Sequence, residues 1–528
     1  MTVVRRIIAR SCFLGCWIGL SLGALSAHAS QEEFRLAQQY YQQKDFLQAA
    51  RYAFSAIEDE PALQPRAHAL ISLSLMRAGM YQSASYFFIR TLQSGDKQAI
   101  RQVLTRTDSL LVRVGGDLLR PYLIRYTQFS DYDSIDRSAY LYSLGKQALL
   151  KGQESRAIQY LSGVSGHSTL WPYALQLRGS AHAILGQAKE AQVDFRACID
   201  KAQNYARLTE DEEAEEGSAR ERLLRARHNE AEDLAARCQA GEARILYQSG
   251  QFSDADRTYD EIPKASLVWP DILFEQAWNA FARQEYNRAL GRLVTYKSPA
   301  LGFVFNSEVD VLRAQSFLML CLYDDANNVI NEFNAKYARV TQEVKSFVDG
   351  NANNLAAFYQ AGAIALKAPI SAPNPFNRVL NRFVRGPYFQ NLVAAQRALS
   401  AELARLRQIP STEGRKQGLP GFLEHVLSWR LKSIRSIGGA FVKNSLIDHH
   451  QALLSDFDKM AFIKLEMLGR AKDQLLGRKS PGGDRMRGNR EPSRRDDQYY
   501  WSFNGEFWND EIGDYVFGLE SECGGGKG

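Results

Sequence analysis

Cysteine is scarce in this sequence, and so are long hydrophobic runs and an excess of charge of one sign. Six cysteines occur among 528 residues, which excludes a small disulfide-rich scaffold. The formal net charge is +6, and it falls to +3 once the three arginines of the first ten residues are set aside. A charge this close to zero does not indicate a nucleic-acid-binding protein.

The sequence also lacks the short motifs of common catalytic sites. No HExxH, GxSxG or GxxxxGK[ST] pattern occurs. His449 and His450 are adjacent, and neighbouring side chains on a helix point about 100° apart, so the pair is poorly placed to hold one metal ion. We therefore predict no catalytic residue, no metal site and no cofactor.

The N-terminus has the features of an export signal. Arg5, Arg6 and Arg10 precede an apolar stretch that ends near Leu25, and Ala27-x-Ala29 follows as a small-residue cleavage pattern. The apolar stretch is shorter than the roughly 20 residues of a membrane-spanning helix, which disfavours a retained anchor. We predict a signal peptide at 1–29, export to the periplasm and no later membrane-spanning segment.

Four cysteines remain after this cleavage, namely Cys198, Cys238, Cys321 and Cys523. No CxxC motif occurs among them. Two alternatives are compatible with the sequence, a Cys198–Cys238 disulfide and separate buried thiols, since pairing cannot be deduced from sequence alone. We favour separate thiols.

Small and large residues recur at fixed spacings over much of the chain. In the first unit Tyr40 follows Ala37 by three residues, Ala49 comes nine later, and Pro61 closes the unit. Six further units follow this pattern: Ser72-Leu75-Gly79-Ala84, Gly145-Ala148-Gly152-Ala157, Gly179-His182-Gly186-Ala191, Ala243-Leu246-Gly250-Ala255, Ala277-Ala280-Tyr286-Ala289 and Ala314-Phe317-Tyr323-Ala326.

This pattern is typical of paired antiparallel helices, because small side chains are needed where two helix backbones cross closely. It resembles the tetratricopeptide-repeat (TPR) family over roughly residues 31–340. The resemblance implies an all-α fold in which a solenoid of helical hairpins, at 30–340, buries its apolar faces between neighbouring repeats. It also implies a protein-binding role.

Two stretches interrupt the repeats. Residues 99–137 keep helical apolar spacing without the TPR pattern, so we predict a degenerate hairpin there. Residues 206–238 form a charged insertion in which an acidic run precedes several arginines. This stretch has two possible interpretations, an acidic docking patch and a solvated helix extension or mobile insertion. The charge pattern favours the second.

The last third divides into three parts. Residues 341–476 predict long helices, with a hinge at Gly438-Gly439 in the second of them. Residues 477–498 are rich in Gly, Pro, Arg and Asp and are interpreted as a linker. Residues 499–528 are an aromatic and acidic element, with eight aromatic residues between 499 and 517. Because exposed aromatics promote aggregation, we favour an element that folds back onto the chain over one that docks a partner.

Candidate binding residues come from this element and from the predicted hairpins. Aromatic anchors dominate the energetics of many interfaces, and the element offers Trp501, Phe503, Phe507, Trp508 and Tyr515. In TPR proteins, ligand contacts usually come from the first helix of each hairpin, and the corresponding polar residues here are Gln38, Arg178 and Arg313.

Export, TPR-like units and an aromatic C-terminal element together resemble large periplasmic TPR proteins associated with gliding-motility and envelope machineries. The resemblance implies a scaffold that binds protein partners in a cell-envelope complex. The alternative is a module that binds peptidoglycan or another glycan, with aromatic rings stacked on sugars. An enzyme is the least favoured reading, and self-association stays open.

Overall fold

The computed structural model describes residues 30–114, 116–133, 137–210, 218–368, 374–407, 418–477, 506–508 and 512–523. In these residues every regular element is helical, so the predicted all-α class is confirmed. The signal peptide, most of the predicted linker, and Trp501 and Phe503 lie outside the described residues.

The described residues form two compact units. The first lies within Met1–Ala174 and Asn391–Ile434, and the second lies within Leu175–Gln390 and Arg435–Gly528. The helices are α1 (30–42), α2 (Phe46–Asp59), α3 (Gln64–Arg77), α4 (Tyr81–Ser94), α5 (Lys97–Leu104), α6 (Thr107–Val114), α7 (Gly116–Tyr126), α8 (Arg137–Leu150), α9 (Glu154–Ser162), α10 (Trp171–Ile184), α11 (Ala188–Glu210), α12 (Ala219–Gln248), α13 (Phe252–Asp260), α14 (Trp269–Ala282), α15 (Tyr286–Val294), α16 (Glu308–Met319), α17 (Tyr323–Gly350), α18 (Leu355–Lys367), α19 (Pro375–Val384), α20 (Pro387–Leu406) and α21 (Leu419–Gly477).

The seven predicted repeat units are seven helical hairpins with one kind of turn. Each turn has a residue in the left-handed region, and these residues are Lys44, Gly79, Gly152, Gly186, Gly250, Gln284 and Cys321. In each turn the next N–H donates to a carbonyl five residues earlier, as Asp45 does to Tyr40 and Met80 does to Leu75, at 2.9 and 2.8 Å. This is the Schellman arrangement, which ends a helix by satisfying its last carbonyls.

The small residues of the pattern lie where the two helices of a hairpin approach. Ala37 and Ala49 of the first hairpin are fully buried, as are Ala277 and Ala289 of the sixth. A Cβ on Gly179 would lie 3.0 Å from the Phe195 ring, so a larger residue would force these helices apart. The TPR-like arrangement of tandem hairpins is therefore confirmed.

The region 99–137 is not the hairpin that its apolar spacing predicts. It contains three short helices, α5, α6 and α7, followed by a 3-10 turn at Phe129–Asp131. The chain turns at residues 105–106, between α5 and α6. The apolar positions of this region are therefore distributed over three helices, not over the two helices of a hairpin.

The charged insertion is a pair of helix extensions on either side of residues 211–217. The helix α11 continues to Glu210, and α12 begins at Ala219 with Ser218 as its N-cap. Across this long hairpin Cys198 and Cys238 form a disulfide, with their Cα atoms 6.2 Å apart. The favoured prediction of separate thiols is therefore wrong, because the antiparallel hairpin places two cysteines 40 residues apart opposite each other.

Within the first unit, a buried carboxylate on α20 caps the N-terminus of α4. Met80 is the N-cap residue of α4 and provides no side-chain acceptor. Glu402 supplies one instead, because its carboxylate accepts the backbone N–H groups of Gln82 and Ser83, both at 2.8 Å. Arg430 of α21 donates to the Ser85 hydroxyl beside it. Negative charge at a helix N-terminus is favourable. The contact stabilises the packing of α20 against α4 of the second hairpin.

The hinge predicted at Gly438-Gly439 is wrong, since α21 runs unbroken through both residues. A Cβ on Gly439 would lie 2.0 Å from the Leu355 carbonyl oxygen, and one on Gly438 would lie 2.6 Å from the Tyr359 ring. The two glycines therefore permit α21 to pack closely against α18. They serve packing, not bending.

We expect Gly439→Ala to destabilise the protein by about 1–3 kcal/mol, because the added methyl group forces α21 away from a backbone carbonyl of α18. Gly469 lies in the same helix with open space around its Cα, so Gly469→Ala should stabilise the protein by about 0.5–1 kcal/mol. Urea unfolding of both variants measures the difference. Equal effects of the two substitutions would contradict the close approach.

Candidate functional site

Residues 512–523, here called the C-terminal segment, lie on the second unit in a non-helical conformation. They contact a surface formed by the α13–α14 connection, α14, α15 and the α16–α17 turn, here called the docking surface. Cys523 forms a disulfide with Cys321 of that turn. The described part of the aromatic element therefore folds back onto its own chain.

Apolar packing holds the start of the segment. Ile512 is buried in a cluster with Trp269, Leu273 and Leu301. Gly513 follows at φ +98°, and a Cβ there would lie 3.0 Å from the Leu273 side chain. Glycine is thus required at this position by both its backbone angle and its close contact with α14.

The next residue of the segment is held by charge. A buried guanidinium, that of Arg292 on α15, donates to the Gly513 carbonyl and lies 3.3 Å from the Asp514 carboxylate. Its other terminal nitrogen lies 3.1 Å from Asp260 of α13. Lys264 is 3.2 Å from Asp514 on the other side. An acidic residue at this position of the segment therefore complements two cations.

The middle of the segment passes over a glycine of α15. Tyr515 is buried, and a Cβ on Gly291 would lie only 1.8 Å from the Tyr515 carbonyl oxygen. The Tyr515 hydroxyl accepts the N–H of Trp508 at 2.9 Å, and the Phe507 ring packs edge-on against the Tyr515 ring at 5.9 Å. Any side chain at residue 291 would collide with the segment.

Asn287 of α15 binds the backbone of the segment on both sides of one residue. Its side-chain amide donates to the Leu519 carbonyl and accepts the Leu519 N–H, each at 3.0 Å. Its own carbonyl accepts the N–H of Phe517 at 3.1 Å. All three hydrogen bonds are made to backbone groups of an extended chain, so they do not depend on the side chains of the bound segment.

The far end of the segment is fixed to the last hairpin turn. The N–H of Glu522 donates to the Leu320 carbonyl at 2.9 Å, next to the disulfide at Cys321. Cys321 occupies the left-handed position that four of the other turns fill with glycine. The disulfide therefore attaches the end of the segment directly to the α16–α17 turn.

A cavity of about 350 Å³ adjoins the cluster that holds Ile512, since Leu301, Val304 and Tyr296 belong to both. Arg313 lines it, 2.8 Å from the buried carboxylate of Asp310. Burial opposes ionisation of Asp310, but Lys336 and Arg313 outweigh it and hold the pKa of this carboxyl below its ordinary value. Burial also raises the pKa of Tyr337, whose hydroxyl donates to the same carboxylate at 3.1 Å.

The predicted binding residues have different environments. Tyr515 and Phe507 belong to the docked element, whereas the Trp508 side chain is 53% exposed. Gln38, Arg178 and Arg313 lie in three different hairpins, those of α1, α10 and α16. Arg178 is paired with Asp194, and Arg313 with Asp310, so both guanidinium groups already hold structural ion pairs.

The residues that form the docking surface were missed at the sequence level. Asn287, Gly291 and Arg292 occupy ordinary positions of a repeat helix, and their partners lie more than 200 residues away. Only the cysteines carry a signal in the sequence, because four of them follow the predicted signal peptide, and an even number is compatible with complete pairing.

Comparisons with known proteins add little to this geometry. No protein-family model matches the sequence, and no curated protein matches it. Two of the solved structures that match are the TPR domain of P58(IPK) and yeast Tom70. The first is 12% identical with a TM-score of 0.19, and covers 77% of this chain and 99% of its own. The second is 12% identical with a TM-score of 0.20, and covers 85% of this chain and 96% of its own.

TM-scores this low do not establish a shared fold, and the assignment of the fold rests on the seven hairpins themselves. The fold is TPR-like. Among the described residues, no helix is long and apolar enough to cross a membrane. In the same residues, no three His, Cys, Asp or Glu side chains are grouped so that they would hold a metal ion.

Proposed function

We propose that this TPR-like protein is an exported scaffold that binds extended segments of partner proteins in a cell-envelope complex. The observation that carries the proposal is the pairing of Asn287 with the Leu519 main chain on the docking surface. Hydrogen bonds to a main chain give affinity for any extended peptide, and neighbouring pockets give selectivity.

The docking surface has such pockets in a fixed order. The first is an apolar site at Trp269 and Leu273, here called the apolar seat, and the second is the Arg292 guanidinium. The third is Gly291, whose missing side chain lets a peptide main chain pass close to α15. A partner segment with an apolar residue, a glycine, an acidic residue and an aromatic residue in succession would satisfy all three, with the main chain of the fourth residue over Gly291. The C-terminal segment of the chain fits this description with Ile512-Gly513-Asp514-Tyr515.

The disulfides support export. All four cysteines that follow the predicted signal peptide are paired, Cys198 with Cys238 and Cys321 with Cys523. Disulfides form and persist in oxidising compartments, and the bacterial periplasm is one of them. Together with the N-terminal sequence this favours a periplasmic protein. Release of the protein by osmotic shock, with an N-terminus at Ser30, would be the expected result of fractionation and N-terminal sequencing.

Affinity capture from envelope extract tests the partner-binding proposal. The bait is the full chain with Cys523→Ser, so that the C-terminal segment is not covalently held, and it carries either Gly291→Ala or Gly350→Ala. The first substitution places a methyl group where the segment passes, and the second lies in a helix with open space around it. We expect partners that the Gly350→Ala bait captures and the Gly291→Ala bait does not.

Identical captures by the two baits would exclude the docking surface as the partner site. Sedimentation with purified cell-wall sacculi is the matching test of the glycan-binding alternative. The scaffold proposal predicts that the purified protein stays in the supernatant when no protein partner is added.

A further inference from the structure

The two disulfides differ in their access to solvent. Cys198 and Cys238 are both 0% exposed, whereas Cys321 is 7% exposed and Cys523 lies in an exposed part of the segment. A thiolate must reach a sulfur atom to reduce a disulfide. A reductant in solution therefore meets the Cys321–Cys523 bond before the Cys198–Cys238 bond.

The accessible disulfide holds the C-terminal segment on the docking surface. It lies at the end where Glu522 and Cys523 meet the α16–α17 turn, and the other contacts of the segment are non-covalent. With the bond closed, the segment cannot leave at this end. With the bond open, only the chain N-terminal to residue 512 tethers it, at an effective concentration of about 1 mM or less.

We infer that the Cys321–Cys523 disulfide is a redox latch on a peptide-binding site. In the oxidised protein the C-terminal segment occupies the docking surface. In the reduced protein the surface accepts an extended segment of a partner with an apolar–Gly–acidic–aromatic sequence. This inference rests on the proposed function, and it names the ligand class and the regulation of the same surface.

The reduction needs a dithiol, such as dithiothreitol or a protein with a CxxC motif. One thiolate of the dithiol attacks the exposed Cys523 sulfur, forms a mixed disulfide and releases the Cys321 thiolate, which takes up a proton. The second thiolate of the dithiol attacks the mixed disulfide and releases Cys523 as a thiolate, which is protonated in turn. Two electrons pass to the protein, and the dithiol becomes a disulfide.

The test uses the full-length mature protein and a fluorescent synthetic peptide of residues 512–522, which contains no cysteine. Alkylation and mass spectrometry after mild dithiothreitol treatment count the free thiols, and fluorescence anisotropy measures binding of the peptide. We expect two thiols, at Cys321 and Cys523. We also expect peptide affinity to rise about tenfold or more on reduction, because a tethered competitor replaces a covalently held one.

Three variants sharpen the comparison. Cys523→Ser should bind the peptide without reductant. Gly291→Ala should abolish binding in the reduced protein, and Gly350→Ala should leave it unchanged, since only residue 291 lies under the segment. A peptide with Ile512→Asp should fail to bind, because it places a charge in the apolar seat of Trp269 and Leu273.

The outcomes separate the latch from the binding site. Equal peptide affinity before and after reduction would overturn the latch and leave the peptide site standing. Failure of both the reduced protein and Cys523→Ser to bind would overturn the site, and with it the proposed function. Prior reduction of Cys198–Cys238 would overturn the latch as well. So would a disulfide-linked dimer of the oxidised protein on a non-reducing gel.

Discussion

Replacement of Glu402 by alanine should lower the free energy of unfolding by about 2–4 kcal/mol, because each buried N–H donor that loses its acceptor costs about 1–3 kcal/mol. The substitution leaves the N–H groups of Gln82 and Ser83 at the start of α4 without their acceptor. It also leaves Arg430 buried without a negative neighbour. Denaturant unfolding followed by circular dichroism measures the loss.

An exposed glutamate of the same helical region provides the control. Glu424 of α21 pairs with Arg407 at 3.0 Å, but these side chains are 44% and 70% exposed. Exposed ion pairs contribute about 0–1 kcal/mol, so Glu424→Ala should change stability little. A comparable loss in both variants would contradict the capping role assigned to Glu402.

The pH dependence of the same site has a defined sign. Burial raises the pKa of Glu402 above its ordinary value, although the N–H groups at α4 and Arg430 oppose the shift. The folded state therefore holds this proton more tightly than the unfolded state, and the contribution of Glu402 to stability falls as pH rises through this interval. Unfolding measured against Glu402→Gln, which does not titrate, should show that decline above the ordinary carboxyl pKa of 4.5.

The Cys198→Ala/Cys238→Ala double variant should lose about 4 kcal/mol of stability. The disulfide closes a loop of 40 residues, and the chain-entropy model assigns about this value to such a loop. Both sulfur atoms are fully buried in the α11–α12 hairpin, so water does not replace the lost contacts. Melting temperature and the denaturant midpoint should both fall.

The single variants decide whether the bond accounts for the loss. Each single substitution already breaks the disulfide, so each should cost nearly as much as the double variant. If the two single losses are instead small and add up to the double, the cysteines act as separate buried thiols. The same unfolding measurements distinguish these results.

The repeat turns could be predicted from the sequence because their signal is local. A small residue such as Gly179, a turn glycine such as Gly186 and a small residue such as Ala191 lie within 13 residues of each other, and together they determine one hairpin. The docking surface could not be predicted in this way. The side chain of Asn287 in α15 looks like any other surface amide until its partner, 232 residues later, is placed beside it.

Glycine shows the same limit of the sequence. The sequence predicts a hinge at Gly438-Gly439, whereas the structure uses the pair for the close contact of α21 with Leu355. Gly291 gave no signal at all, although the Tyr515 backbone lies directly over it. The sequence shows where a Cβ is missing. What occupies that space depends on distant residues.

The separation of Cys321 and Cys523 also has a consequence in time. During synthesis from the N-terminus, residue 523 follows residue 321 by 202 positions. At about 5–20 residues per second this interval lasts about 10–40 s. Where translocation keeps pace with synthesis, the α14–α15 hairpin can fold within this interval, before the C-terminal segment has emerged. A newly exported chain then leaves this part of its docking surface uncovered for about 10–40 s, and a partner segment present at that moment has no internal competitor.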